Sequence, residues 1–182
     1  VVEQVESAKH RAAENGAAML EDGMTILTHD YSSTVLEAIE LAVRDGAHLT
    51  VYVTEARPRY LGRKAVRTLA TMDRVDAHLL IDSANGYILP ECDHAVTGMD
   101  CIVGETLYNR IGTFPLAATA EEVGVPFTVI GSGAKIIEDG FVFENEFRSS
   151  SEVMREPAEG FTIENPAYDE TPMRLVTDVI TD

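Results

Sequence analysis

Short apolar, β-branched runs alternate with longer stretches of helical period along most of this 182-residue chain, and no other feature restricts its fold as strongly. Runs suited to strands fall at 24–28, 49–54, 77–81, 94–98 and 126–131, with helical patterns at 34–44, 61–70, 84–89 and 113–123 between them. A helix inserted between successive strands supplies the crossover that parallel pairing needs, whereas antiparallel neighbours need only a tight turn. The expected fold is therefore α/β, a Rossmann-like parallel sheet with helices on both faces. Residues 1–22 read as an amphipathic connecting helix, and 23–182 as the α/β domain. Beyond Gly133 the periodicity weakens. Residues 148–159 are expected to form a loop or weak helix, 161–172 extended chain with turns, and 174–180 a last strand or short helix.

Charge narrows the function classes. Acidic residues outnumber basic ones 31 to 14, giving −17, and the only lysines are Lys9, Lys64 and Lys135. Such a surface stays dispersed where salt screens self-repulsion, so a salt-loving host is expected. It disfavours direct binding to nucleic acid or to an anionic membrane. No apolar run approaches the ~20 residues of a bilayer span, and the first residues lack the apolar stretch of a signal peptide. A soluble, cytoplasmic protein is the expectation. Cys92 and Cys101 form no CxxC pair and have no histidine at ligand spacing, so neither a metal site, a disulfide nor a cofactor is anticipated.

Ligands of open parallel sheets bind beyond the carboxyl ends of the strands. Those ends carry His29-Asp30, then Arg57-Pro58-Arg59, Asp82, Asp100 and Gly131-Ser132-Gly133. Ser32 and Ser33 lead into a helix, with Thr34 and Glu37 at capping-box spacing, and free N–H groups there favour an anion. Gly112-Thr113 opens another helix and offers a second anion seat. Arg57 and Arg59 stand out in a chain poor in bases, because the guanidinium fork suits phosphate oxygens. Asn109, Arg110, Gly112 and Thr113 combine an amide, a cation and a tight turn, a grouping suited to a hydroxylated phosphate ester. Asp82 and Asp100 each read either as helix caps or as carboxylates able to move protons. His29 is a further candidate to touch a ligand.

The segments ILTHDYSSTV, VYVTEARPRYLGRKAV, LLIDSANGYILPECDHAVTGMD, YNRIGTFPLAATAEEVGVPFTVI and ENPAYDETP, in this order, resemble one family. It holds the alpha, beta and delta regulatory subunits of translation initiation factor 2B. It also holds the isomerases that act on methylthioribose 1-phosphate and ribose 1,5-bisphosphate. The resemblance implies a Rossmann-like carboxyl-terminal domain, assembly into homodimers or larger rings, and a helical amino-terminal domain ahead of the linker helix in a longer parent protein. It also implies a site. The isomerases have Thr-His-Cys-Asn where this chain has Thr28-His29-Asp30-Tyr31, so Asp30 replaces their proton-transfer thiol. Their Gly-Ala-Asp matches Gly98-Met99-Asp100, which makes Asp100 the second catalytic carboxylate. Their Asn-Lys-Ile-Gly-Thr matches Asn109-Arg110-Ile111-Gly112-Thr113, and their Arg-Pro-Arg matches Arg57-Pro58-Arg59.

Two functions follow from these residues. One is a regulatory subunit-like protein that binds a phosphorylated sugar or nucleotide without turnover and has a translation factor as partner, a reading favoured by the lost thiol. The other is an aldose–ketose isomerase in which Asp30 and Asp100 share the proton transfers. A dinucleotide-dependent oxidoreductase ranks below both, because the turn HDYSST lacks the glycine fingerprint for a pyrophosphate.

Overall fold

The amphipathic period of the first residues produces α1 (Val2–Ala17), which buries Ala12, Ala13 and Gly16 against the rest of the chain. Gly16 permits this approach, since a Cβ there would lie 2.6 Å from Ile130 Cδ1. The computed structural model describes residues 1–138 and 140–182. After α1 come β1 (Thr25–His29), α2 (Ser33–Arg44), β2 (Leu49–Thr54), α3 (Leu61–Leu69), β3 (Val75–Leu80), the single-turn α4 (Asn85–Ile88) and β4 (His94–Thr97). Then follow β5 (Cys101–Val103), β6 (Thr106–Arg110), α5 (Thr113–Val123), β7 (Phe127–Ile130), β8 (Ile136–Ile137), β9 (Tyr168–Pro172) and β10 (Asp178–Ile180).

The main sheet has the order β3-β2-β1-β4-β7-β10 and every pairing in it is parallel. Its central strands β1, β4 and β7 are buried on both faces because helices cover both. Ile26 packs with Val35, Ile39, Val51 and Leu69 beneath α1, α2 and α3, while its neighbour Leu27 packs with Leu116, Phe127 and Val129 on the α5 side. From β1 the chain winds outward to β2 and β3, then returns to pair β4 on the other side of β1. The carboxyl ends of β1 and β4 therefore diverge at a topological switch point, where such sheets open a crevice. No helix among the described residues is long and apolar enough to cross a membrane.

A second sheet, β8-β5-β6-β9, was not expected. β5 and β6 form a hairpin around Gly104, which has φ 55°, and β9 pairs antiparallel with β6 from far along the chain. The expected extended chain at 161–172 thus ends in a strand, and the expected final element is a short turn of 3-10 helix followed by β10. Phe143 stacks on Tyr108 at 4.0 Å and meets Tyr168 edge-on at 5.6 Å, fastening the intervening segment over this sheet. The anticipated Thr34–Glu37 capping box does not form. The helix starts one residue earlier, with Ser32 as N-cap accepting from the Val35 N–H at 3.2 Å, and Glu37 pairs with His10 instead.

Candidate functional site

At the switch point lies a cleft of about 170 Å³. One wall is the end of β1 and the start of α2, from His29 to Thr34; the other is Gly98, Met99 and Asp100 after β4. Asn109 and Arg110 of β6 line it as well, as does Lys135. The first turn of α2 leaves the N–H groups of Ser33 and Thr34 without intrahelical acceptors, so this rim favours negative charge. Gly98 allows the two walls to meet, since a Cβ there would lie 2.5 Å from Ser32 Oγ.

His29 forms the floor. Its side chain is buried, with Nδ1 2.7 Å from Thr54 Oγ1 and Nε2 2.7 Å from the Ile111 carbonyl oxygen. Both ring nitrogens are thus engaged within the protein, and the ring ties β1 to β2 and to the turn after β6. Asp30 follows at φ 65°, a left-handed conformation that a short polar side chain tolerates, and its Oδ1 accepts from the Tyr31 N–H at 2.7 Å. Burial pushes the Asp30 carboxyl above its ordinary range, against the pull of His29 and Arg110. Asp100 is also raised by burial and by the charge of Asp30, while Arg110 and Lys135 oppose the shift. Arg110 Nε lies 3.7 Å from Asp100 Oδ2, an oxygen that is buried without a hydrogen-bond partner. Lys135 Nζ donates to the Met99 carbonyl at 2.9 Å. Two carboxylates and two cations therefore face one polar cleft at the mouth of a helix.

Arg57 and Arg59 lie beside this cleft rather than in it. They line a smaller cavity of about 20 Å³ with Arg148 and Asn165, and Asp30 and Arg110 border both spaces. Asp82 acts as a brace for that loop, its two oxygens accepting the Ala56 and Arg57 N–H groups at 2.8 Å each. Asp100 precedes β5, so neither aspartate caps a full helix in the expected way.

The second anion seat, at the start of α5, is already filled from within the chain. Asp169 Oδ2 accepts from the N–H groups of Gly112 at 2.8 Å and Phe114 at 3.1 Å. Thr113 is fully buried, its hydroxyl donating to the Arg110 carbonyl and accepting from Asn109 Nδ2. Gly112 has φ 103° and backs onto His29, where a Cβ would lie 2.6 Å from Nε2. Gly112 and Thr113 thus shape the turn that presents Arg110. Sequence reasoning passed over Lys135 and Asp169. Lys135 follows Gly131-Ser132-Gly133, itself a strand end, and Asp169 lies within ENPAYDETP, one of the segments that carry the family resemblance.

A doubly wound parallel sheet with a polar cleft at its switch point defines a Rossmann-like α/β domain. The chain belongs to the Initiation factor 2 subunit family, whose sequence model matches residues 1–182. It is 35% identical over 191 residues to the ribose 1,5-bisphosphate isomerase of Haloterrigena turkmenica, covering 96% of this chain and 58% of that protein. The methylthioribose-1-phosphate isomerase of Thermotoga neapolitana is 34% identical over 189 residues, covering 92% and 54%. Among solved structures, translation initiation factor eIF-2B subunit delta from A. fulgidus superposes with a TM-score of 0.88 at 28% identity, covering 98% of this chain and 58% of that one. The chain therefore spans little more than half the length of these relatives.

Proposed function

We propose that the switch-point cleft binds a phosphorylated sugar or nucleotide, and that the protein works as a regulatory subunit of the initiation factor 2B kind, without isomerase turnover. Arg110, Lys135 and the start of α2 supply positive potential for a phosphate, and Asn109 supplies an amide beside it. The observation that carries the non-catalytic half is Asp30. By the resemblance of Thr28-His29-Asp30-Tyr31 to the isomerases' Thr-His-Cys-Asn, a carboxylate takes the place of a thiol, here on a backbone held at φ 65°. Its reach and hydration differ from those of a thiol, and misplacing a reacting group by about 1 Å can cost about 10²-fold in rate. In this role the protein forms a homodimer or larger assembly and meets a translation factor as partner. Calorimetric titration with ribose 1,5-bisphosphate and with a nucleoside monophosphate should give saturable binding, with no ribulose 1,5-bisphosphate formed over hours. Steady product formation would refute the non-catalytic reading.

An aldose–ketose isomerase is the second reading, favoured by the likeness to two sugar-phosphate isomerases and by the two half-buried carboxylates that line one cleft. Asp30 and Asp100 both hold their protons more tightly than usual, so the pair can present one acid and one base. If turnover is found, Asp100→Asn should abolish it; an unchanged rate excludes this mechanism.

A further inference from the structure

Between β8 and β9 the chain makes an excursion that returns over the arginines following β2. Its two arms pair through the Phe147–Pro166 bridge, and Arg148 N–H donates to the Asn165 carbonyl at 2.9 Å. The buried Asn165 amide donates to the Ser149 carbonyl at 2.9 Å and to Glu152 Oε1 at 3.1 Å. The other Glu152 oxygen lies 3.2 Å from Arg59 Nε, and the Val153 carbonyl accepts from Arg57 Nη2 at 2.9 Å. Both arginines are thus occupied by the protein's own chain, and the cavity beside them is reduced to the space of about one water.

We propose that Glu152 is a specificity-determining residue, an internal carboxylate that holds Arg59 and keeps the smaller cavity closed. A ligand with one phosphate fills the larger cleft and leaves Glu152 in place. A ligand with a second phosphate at its far end displaces Glu152 from Arg59 and frees residues 149–153. Asp30 and Arg110 border both spaces, so a sugar lying across them reaches from one to the other. Phosphate competes well for this position, because a dianion with three acceptor oxygens meets the forks of Arg57, Arg59 and Arg148 together. The ion pair itself resists weakly, since Arg59 is 46% exposed and pairs of that kind contribute little, while the bonds from the buried Asn165 amide add to the hold on the segment. The ligand half of the proposal rests on the binding function argued above; the latch itself rests on geometry alone.

The test compares the full chain with its Glu152→Gln variant and, as a control for charge, with Glu156→Gln. Binding of ribose 5-phosphate and ribose 1,5-bisphosphate is measured by calorimetry, and trypsin cleavage after the exposed Arg155 reports release of the segment. Glu152→Gln should tighten bisphosphate binding about two- to fivefold, the range an exposed pair allows, and leave the monophosphate unchanged. It should also quicken cleavage after Arg155 without ligand, as bisphosphate should in the wild-type chain. An equal gain for both ligands, no gain for the bisphosphate, or a gain matched by Glu156→Gln would overturn the proposal. If neither ligand binds the wild-type chain, the binding function fails, and cleavage decides the latch separately: faster in Glu152→Gln supports it, unchanged refutes it.

Discussion

Asp169 of β9 accepts the N–H of Gly112 at 2.8 Å, so a strand formed late in the chain fixes the turn that presents Arg110 to the cleft. The same oxygen takes the Phe114 N–H at 3.1 Å and caps α5. Asp169→Ala removes a helix cap and is expected to cost about 1–2 kcal/mol of stability, readable as a lower urea midpoint. It should also weaken binding of ribose 5-phosphate, because the Arg110 turn loses its anchor. Asp169→Asn keeps an acceptor oxygen and should lie between wild type and alanine in both measurements.

Asp30 gives the pH dependence its sign. Burial raises its carboxyl pKa, so the folded chain holds the proton more tightly than the unfolded chain does. The resulting stabilisation is present below the ordinary carboxylate range, about pH 4, and is lost as pH rises through the raised folded value. Asp30→Asn should therefore raise the melting temperature relative to wild type at pH 8, with the gain vanishing below pH 4. Asparagine tolerates φ 65° and can still accept the Tyr31 N–H, so the comparison isolates charge. Removing a negative charge from the cleft should also tighten phosphate binding at pH 8.

Parts of this arrangement were legible in the sequence because they are local. β2 and α5 occupy the expected residues, since a continuous β-branched run and a glycine-bounded apolar helix declare their own limits. The strand-end rule placed Asp30 and Asp100 correctly on one rim, because the alternation of elements already fixes which ends lie together. The second sheet was illegible for the opposite reason. β5 and β8 are too short to show a period, and β6 gains its second neighbour only from β9, whose residues lie some sixty positions away. Sequence separation likewise hid the filling of the α5 anion seat by Asp169, 57 positions from Gly112, and the more distant engagement of Arg59 by Glu152. A hairpin signal was nonetheless present at Gly104-Glu105, a two-residue turn between apolar runs.

Salt should stabilise the fold. With −17 on 182 residues, self-repulsion opposes compaction, and screening reduces it within a Debye length that shortens from about 10 Å at 0.1 M to about 3 Å at 1 M. The melting temperature should rise between 0.1 and 1 M sodium chloride. A flat or falling response would show that self-repulsion does not limit stability.

Gly112 and Gly124 bracket α5 and form a matched pair of tests. Both have positive φ, 103° and 74°, but a Cβ at Gly124 would meet nothing within 4 Å, whereas at Gly112 it would lie 2.6 Å from His29 Nε2. Gly124→Ala should therefore lose only the left-handed backbone preference, about 1–2 kcal/mol. Gly112→Ala incurs that loss and must also move a buried ring whose two nitrogens are already committed to Thr54 and Ile111. It is expected to cost more by chemical unfolding, and to shift the His29 imidazole resonances where Gly124→Ala leaves them in place. Since the same turn carries Arg110, Gly112→Ala should also weaken phosphate binding while Gly124→Ala does not. Equal costs for the two variants would mean that the His29 floor yields readily, and that it does not hold the Arg110 turn in place.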